Sequence, residues 1–538
     1  MDPLFWADKK AEEIVKRRFH YADRDAPDFK EYIVKTSASI SGVLHIGRLS
    51  DSIRGDSVSR ALRDAGHDSR LIWVAEDMDP LRKIPEGVPK EYENYIGVPV
   101  VDVPDPWGCH SSYASHHVSS YMKVFDEFVS SDVTRYSMHE EYKKGSFSPY
   151  IKAILDNLEK VKEILNRYRE NPLPQGWTPF APICKNCGKV ITPRLKEFDG
   201  KIASYKCEDY SFEKTTAIGC GHEGDMNPLK DPGKLMWKGE WAAQWSRWKV
   251  SSEGAGKEYV VPRSAWWVNA EISEKIFNFP MPVPIFYEHV MINGQKMSAS
   301  TGNVIYPKDW LEVAPANLLR FLYSKKLMKT RSFSFGDLSK LYDDYDNHAR
   351  AYFSDEPVQN EKERAHIRRL YEISQVSDLE VHVPLPFSHA ISISQIFEDE
   401  ESLVSSLNRS GHYSKEGHRE IMERLRLARN WARKYAPETS RINLQINVKE
   451  IIPLLDSGQR QLLGELSVFL SEEVRDPEEI HEWIYHAQER FNIPLKDAFS
   501  AIYLSIMGTK KGPRASTFIA SLDRDFVTTR FKELSLPL

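Results

Sequence analysis

A short stretch near the N-terminus constrains the fold most. The apolar run Tyr32-Ile33-Val34, the small-residue segment Thr36–Gly42, a helical pattern from about Ile46 and the run Leu71-Ile72-Trp73-Val74-Ala75 follow within about 45 residues. The helical pattern sets Leu49, Ile53, Ala61 and Leu62 on one face and stops at Gly66, a common C-terminal signal. Five consecutive apolar residues without alternation suit a strand buried on both faces. Strand, helix and strand in this order predict the βαβ unit of a doubly wound, Rossmann-type α/β sheet. Ahead of it, Trp6, Ala7, Ala11, Ile14 and Val15 recur at helical spacing.

The chain has 538 residues, enough for three or four domains, and is 41% hydrophobic and 28% charged. Its formal net charge of −5 excludes a polybasic nucleic-acid binder but not a local basic face. The start, MDPLFWADKK, lacks the apolar core of a signal peptide, and no run approaches the length of a membrane span. Four of the five cysteines fall between Cys184 and Cys220, which predicts a reducing cytoplasm and a metal site rather than a disulfide framework.

Composition divides the chain. Residues 1–103 read as the first half of the α/β domain, and 104–250, rich in Pro, Cys and His, as an insertion. Residues 251–330 read as its second half, with strands expected near Tyr259-Val260-Val261 and Ile285-Phe286-Tyr287. Asn293-Gly294 between extended flanks predicts a hairpin. Beyond 330, Gly becomes scarce and helical patterning dominates, giving a connector at 331–360 and an all-α domain at 361–538.

Two motifs carry chemistry. Ser41-Gly42-Val-Leu-His45-Ile-Gly47-Arg48 lies where a strand gives way to a helix. Glycines there let backbone approach a phosphate, the helix N-terminus supplies N–H donors, and His45 suits donation to an oxygen that gains charge. Lys296-Met297-Ser298-Ala299-Ser300-Thr301-Gly302 follows the hairpin and suits a pyrophosphate clamp on a mobile loop.

Together, 251 positions apart, these resemble the HIGH and KMSKS signatures of class I aminoacyl-tRNA synthetases. Trp6-Ala-Asp8, Asp77-Met-Asp79-Pro-Leu-Arg82, Asp105-Pro-Trp-Gly-Cys109-His110 and Ala428-Arg429-Asn430-Trp431 narrow the resemblance to the class I lysyl-tRNA synthetase family. It implies a cytoplasmic lysine–tRNA ligase using ATP with Mg²⁺, with tRNA(Lys) as partner and a helical anticodon-binding C-terminal domain; the sequence leaves the oligomeric state open, with a monomer slightly favoured. It implies ATP contacts at Ser41, Gly42, His45, Gly47, Arg48, Lys296, Met297, Ser298 and Ser300, and a lysine pocket from Ser37, Ser39, Asp77, Asp79, Trp245, Tyr259 and Tyr287. The chain departs from the family at Ala299 and Thr301, where a second lysine is usual, at Arg48, at Ser37 and Ser39, and at Tyr259 in place of histidine. The alternatives are a class I synthetase for glutamate or arginine, and an inactive zinc-stabilised tRNA-binding scaffold.

Cys184-x2-Cys187-x19-Cys207-x12-Cys220 has the ligand spacing of a zinc ribbon, with His222 as an alternative fourth ligand. Asp105, Cys109, His110 and His116 offer a second ligand set, with Asp102 and His117 nearby. The resemblance suggests a second Zn²⁺ there. Residues 409–441 hold nine Arg or Lys against four Glu, and Arg424, Arg426, Arg429, Arg433 and Lys434 are expected to project toward tRNA phosphates.

Overall fold

The computed structural model describes residues 5–535 apart from 41, 86, 175–176, 298–302, 355–359, 378–382, 384, 439–440 and 445. The chain divides into two compact units: Met1–Trp310 with Leu319–Phe333 and Pro357–Asp378, and Leu311–Leu318 with Ser334–Glu356 and Leu379–Leu538.

The first unit is built on five parallel strands, β1 (Tyr32–Ser39), β2 (Ser69–Glu76), β3 (Val133–Ser137), β4 (Val250–Gly256) and β5 (Val283–Tyr287), in the order β5-β4-β1-β2-β3. The direction of winding reverses between β1 and β4, which opens a crevice beyond the carboxyl ends of these strands. Helix α1 spans Trp6–Val15 and α2 spans Ile46–Asp64. Gly55 lets α2 sit close on the sheet, since a Cβ there would lie 2.7 Å from the Thr36 methyl. Alternation along β1 turns Lys35, Ser37 and Ser39 to the opposite face. On that face the helix Trp237–Trp248 brings Trp241 and Trp245 to Glu253 of β4.

Three expectations change. Thr36–Ser39 is strand, because its backbone pairs with β2 in unbroken register from Tyr32↔Ser69 to Ser39↔Glu76. The strand expected at Tyr259-Val260-Val261 lies earlier, at Val250–Gly256, and Lys257–Tyr259 is a short 3-10 turn. The sheet also takes β3 from inside the segment 104–250, so that insertion is not continuous. The rest of the insertion includes an antiparallel sheet, Pro193–Phe198, Ala203–Cys207 and Glu223–Met226, and a hairpin pairing Tyr210–Ser211 with Thr216–Ala217. The Asn293-Gly294 hairpin forms as expected, with both residues at positive φ.

The second unit is helical. Helix His418–Tyr435 buries Ile421, Leu425, Ala428, Trp431 and Ala432, and a separate core gathers Leu463, Leu466, Ile484, Ile502, Phe518 and Phe531. The boundary at 361 shifts, because helix Glu361–Ser374 packs with the α/β unit, where Arg369 pairs with Asp8 at 2.7 Å and Asp64 at 2.9 Å. Among the described residues no helix is long and apolar enough to cross a membrane.

Candidate active site

A cavity of about 920 Å³ opens at the carboxyl ends of β1, β2, β4 and β5. Its lining includes His45, Gly47, Arg48, Lys296 and Met297, which brings the two signature elements together, and also Ser37, Ser39, Asp79, Tyr259 and Tyr287. Ser41, Ser298 and Ser300 lie outside the described residues. Gly42 is buried against Tyr113 rather than lining the cavity.

His45 caps α2, and its Nδ1 accepts the Gly47 N–H at 3.1 Å. Burial, reinforced by Arg48, lowers its pKa to about 4, so the ring is neutral at pH 7. With Nδ1 accepting, the single ring proton sits on Nε2 as a donor. Gly47, expected to meet a phosphate through its backbone, lines the cavity and donates its N–H to His45, which fixes that ring. A Cβ on Gly47 would lie 2.7 Å from His45 Cε1 and 2.9 Å from Met297 Cε. Gly47→Ala is accordingly expected to displace both elements and to reduce the ATP–pyrophosphate exchange that the two signatures imply by more than about tenfold.

The other side of the cavity carries buried charge. Lys35 Nζ lies 2.6 Å from Glu253 and 4.0 Å from Glu76. Glu253 also accepts from the indole N–H groups of Trp241 at 2.9 Å and Trp245 at 2.5 Å. Lys234 bridges Asp79 at 3.1 Å and Glu240 at 3.0 Å. Burial opposes ionisation of Asp79, but the Lys234 ammonium and the Ser39 hydroxyl outweigh it and hold the carboxyl below its usual range. Two expected pocket residues are displaced. Asp77 accepts from Ser137 Oγ and the His139 N–H, fixing the start of helix Met138–Lys143 away from the cavity. Trp245 is fully buried behind Trp237 and Trp241, which line the wall instead. Lys35, Glu76, Lys234, Glu240 and Glu253 escaped the sequence reading. A lysine in the middle of the apolar strand Ile33–Thr36 was the one available cue, since such a charge demands a buried partner.

Both ligand clusters assemble. The sulfur atoms of Cys184, Cys187, Cys207 and Cys220 lie within 4.8 Å of one another, with Cys184···Cys220 at 3.6 Å and Cys187···Cys207 at 3.7 Å. Zn–S bonds of about 2.3 Å in a tetrahedron give S···S edges of about 3.8 Å. Cys220 rather than His222 completes the set, His222 lending its backbone carbonyl to the Cys207 N–H. Asp105, Cys109, His110 and His116 also converge within 4.8 Å, and Asp105 accepts three backbone N–H groups that fix its orientation.

Within the helical unit the expected basic face is partly consumed. Arg424 is held by Asp346 at 2.7 and 2.9 Å and by the Leu385 carbonyl. Arg429 donates to the carbonyls of Ser394 and Phe397. Both cations satisfy buried acceptors, so they brace helices instead of projecting. Arg426 pairs with Glu423 at the surface, Lys434 pairs with Glu312, and Arg433 is exposed. Arg424→Ala is expected to destabilise this unit by about 3 kcal/mol, read as a lower urea midpoint, because it strands the buried Asp346 carboxylate. Arg433→Ala is expected to leave that midpoint unchanged.

The comparisons agree with this geometry. A family model described as tRNA synthetases class I (K) matches residues 4–377. The chain belongs to the class I lysyl-tRNA synthetase family. Among curated proteins, the lysine–tRNA ligase of Methanosphaera stadtmanae is 32% identical over 98% of this chain and 99% of its own. Those of Methanocaldococcus jannaschii and Thermococcus kodakarensis are 33% and 34% identical over the same shares. In this class I synthetase the family match includes the cavity and both ligand clusters.

Proposed function

We propose that this synthetase is a lysine–tRNA ligase: it condenses lysine with ATP to lysyl-adenylate and pyrophosphate, then transfers the lysyl group to the 2′-OH of the 3′-terminal ribose of tRNA(Lys). The observation that carries the choice of amino acid is the charge of the cavity floor. Three carboxylates on its lining, Glu76, Asp79 and Glu253, with the fully buried Glu240 behind them, have only two ammonium groups close by, Lys35 and Lys234. That excess suits a substrate bearing cationic groups. Both lysines beside these carboxylates are already held, and the other lining cations, among them Arg48, Arg82, Lys83 and Lys296, are exposed.

ATP enters as its Mg²⁺ complex. The lysine carboxylate oxygen attacks the α-phosphorus, the bond to the bridging oxygen breaks, and pyrophosphate leaves. His45 Nε2–H donates to the phosphoryl oxygen that gains charge, while Arg48 and Lys296 neutralise the departing pyrophosphate. Catalysis is positioning and charge stabilisation, with no covalent enzyme intermediate. The four cysteines have the donor set and edge lengths for a structural Zn²⁺, which would cross-link the inserted strands. Asp105, Cys109, His110 and His116 form a second set suited to Zn²⁺. Exposed Arg433, and Arg426 in exchange for its surface partner Glu423, are among the cations of the basic helix offered to tRNA phosphates.

Exchange of radiolabelled pyrophosphate into ATP with each standard amino acid tests this reading. Lysine is expected to support exchange at least about a hundredfold better than glutamate or arginine. Preference for either of those would overturn the assignment.

A further inference from the structure

These four carboxylates are not equally committed. Glu253 takes Lys35 and two indole donors, and Asp79 and Glu240 share Lys234. Glu76, at the carboxyl end of β2, is left without a close cation. Lys35 Nζ stands 4.0 Å away, and the Glu76 oxygens accept from the Gln244 side-chain amide at 3.2 and 3.1 Å. Glu76 is 4% exposed and lines the cavity.

We propose that Glu76 is the counter-ion of the substrate's side-chain ammonium, and that it carries a proton in the empty cavity which the arriving ammonium displaces. The inference rests on lysine being the substrate. The groups around Glu76 come from every neighbouring element: Lys35 from β1, Glu253 from β4, Asp79 from the turn after β2, Lys234 from strand Gly233–Leu235, Glu240 and Gln244 from helix Trp237–Trp248, and Tyr142 from helix Met138–Lys143. Burial raises the Glu76 pKa most, Lys35 and Lys234 pull it down, and Glu240 and Asp79 push it up again, leaving it at about 8. A carboxyl with a raised pKa is neutral below that value, so at pH 7 the empty site holds the acid form. The lysine ε-ammonium keeps its charge there, its ordinary pKa being about 10.4. Binding is then an exchange in which one ammonium enters, one proton leaves to solvent, and the buried charge stays constant. The arrangement relieves the excess of carboxylates while the pocket waits, and it discriminates against neutral side chains, which cannot compensate an ionised Glu76.

Calorimetric titration of the full chain with L-lysine at pH 7, in PIPES and in Tris, tests this through the different ionisation enthalpies of the buffers. The expected result is release of most of a proton per lysine at pH 7, falling as the pH rises through about 8. In E76Q the release disappears and the KM for lysine rises by more than about thirtyfold, while the KM for ATP stays within about twofold. Asp51, whose carboxyl is raised to about 7 mainly by burial, remains in both proteins, so a release that survives E76Q would overturn the assignment. Lysine-dependent exchange by the wild-type chain without proton release would overturn the counter-ion exchange and leave the ligase reading intact. Absence of exchange with lysine in the wild-type chain would overturn the ligase reading itself.

Discussion

Replacing His45 with alanine, or Lys296 with alanine, is expected to slow lysine-dependent ATP–pyrophosphate exchange by more than about a hundredfold. In the proposed mechanism each change removes a donor aimed at charge that grows only in the transition state, and such a loss typically raises a barrier by about 3–4 kcal/mol. The geometry sharpens the expectation for His45. Its Nδ1 is committed to the Gly47 N–H, so the Nε2–H is the donor that alanine deletes. Because the ring is neutral with a pKa near 4, its contribution persists from pH 5 to 9, and the pH–rate profile is expected to lack an acid limb near 6.5 from this residue. Lys296 stands at the hairpin end, beside the buried Met297 that presses on Gly47. Arg48 lines the same cavity as Lys296, and the proposed mechanism has the two share the phosphate charge. Arg48→Ala in a Lys296→Ala background tests that sharing. Near-normal exchange in both single variants would contradict the site.

The second large effect concerns the cysteine cluster. Cys207→Ala is expected to lower the zinc content by about one equivalent, read by atomic emission, and to cut exchange by more than about tenfold. Structural zinc sites contribute about 10–16 kcal/mol of apparent binding energy, far more than the short strands around them supply. The effect reaches the chemistry because the same module carries the hairpin Tyr210–Ala217. Phe212, Glu213, Lys214 and Thr215 at its tip line the cavity, and Thr215 Oγ1 donates to the Arg82 carbonyl. A Cys207→Ala protein with unchanged metal content would contradict the site.

Some of this was legible in the sequence for physical reasons. Cysteine spacing is visible in the sequence, and Asn-Gly admits few backbone conformations, so the cysteine cluster and the hairpin could be read directly. The βαβ unit followed from periodicity, but its first strand was read short. Ser37, Ala38 and Ser39 look like loop residues, and only pairing with Val74, Ala75 and Glu76 makes them strand. The same blindness hid β4, whose sequence Val-Ser-Ser-Glu-Gly-Ala-Gly has strand propensity only at its first residue. With β4 hidden, Glu253 had no context, and neither did the buried Lys35 opposite it. Trp245 and Trp241 differ by one helical turn, and spacing alone does not say which faces the ligand and which supports it. Arg424 and Arg429 were read as projecting toward tRNA phosphates because sequence shows charge but not the buried Asp346 and carbonyl oxygens that absorb it.

Charging of a tRNA(Lys) transcript with radiolabelled lysine by the purified chain tests the central claim most directly. The account predicts ATP-dependent, acid-precipitable lysyl-tRNA that disappears with His45→Ala. Failure to charge lysine, or equal charging with glutamate or arginine, would contradict it.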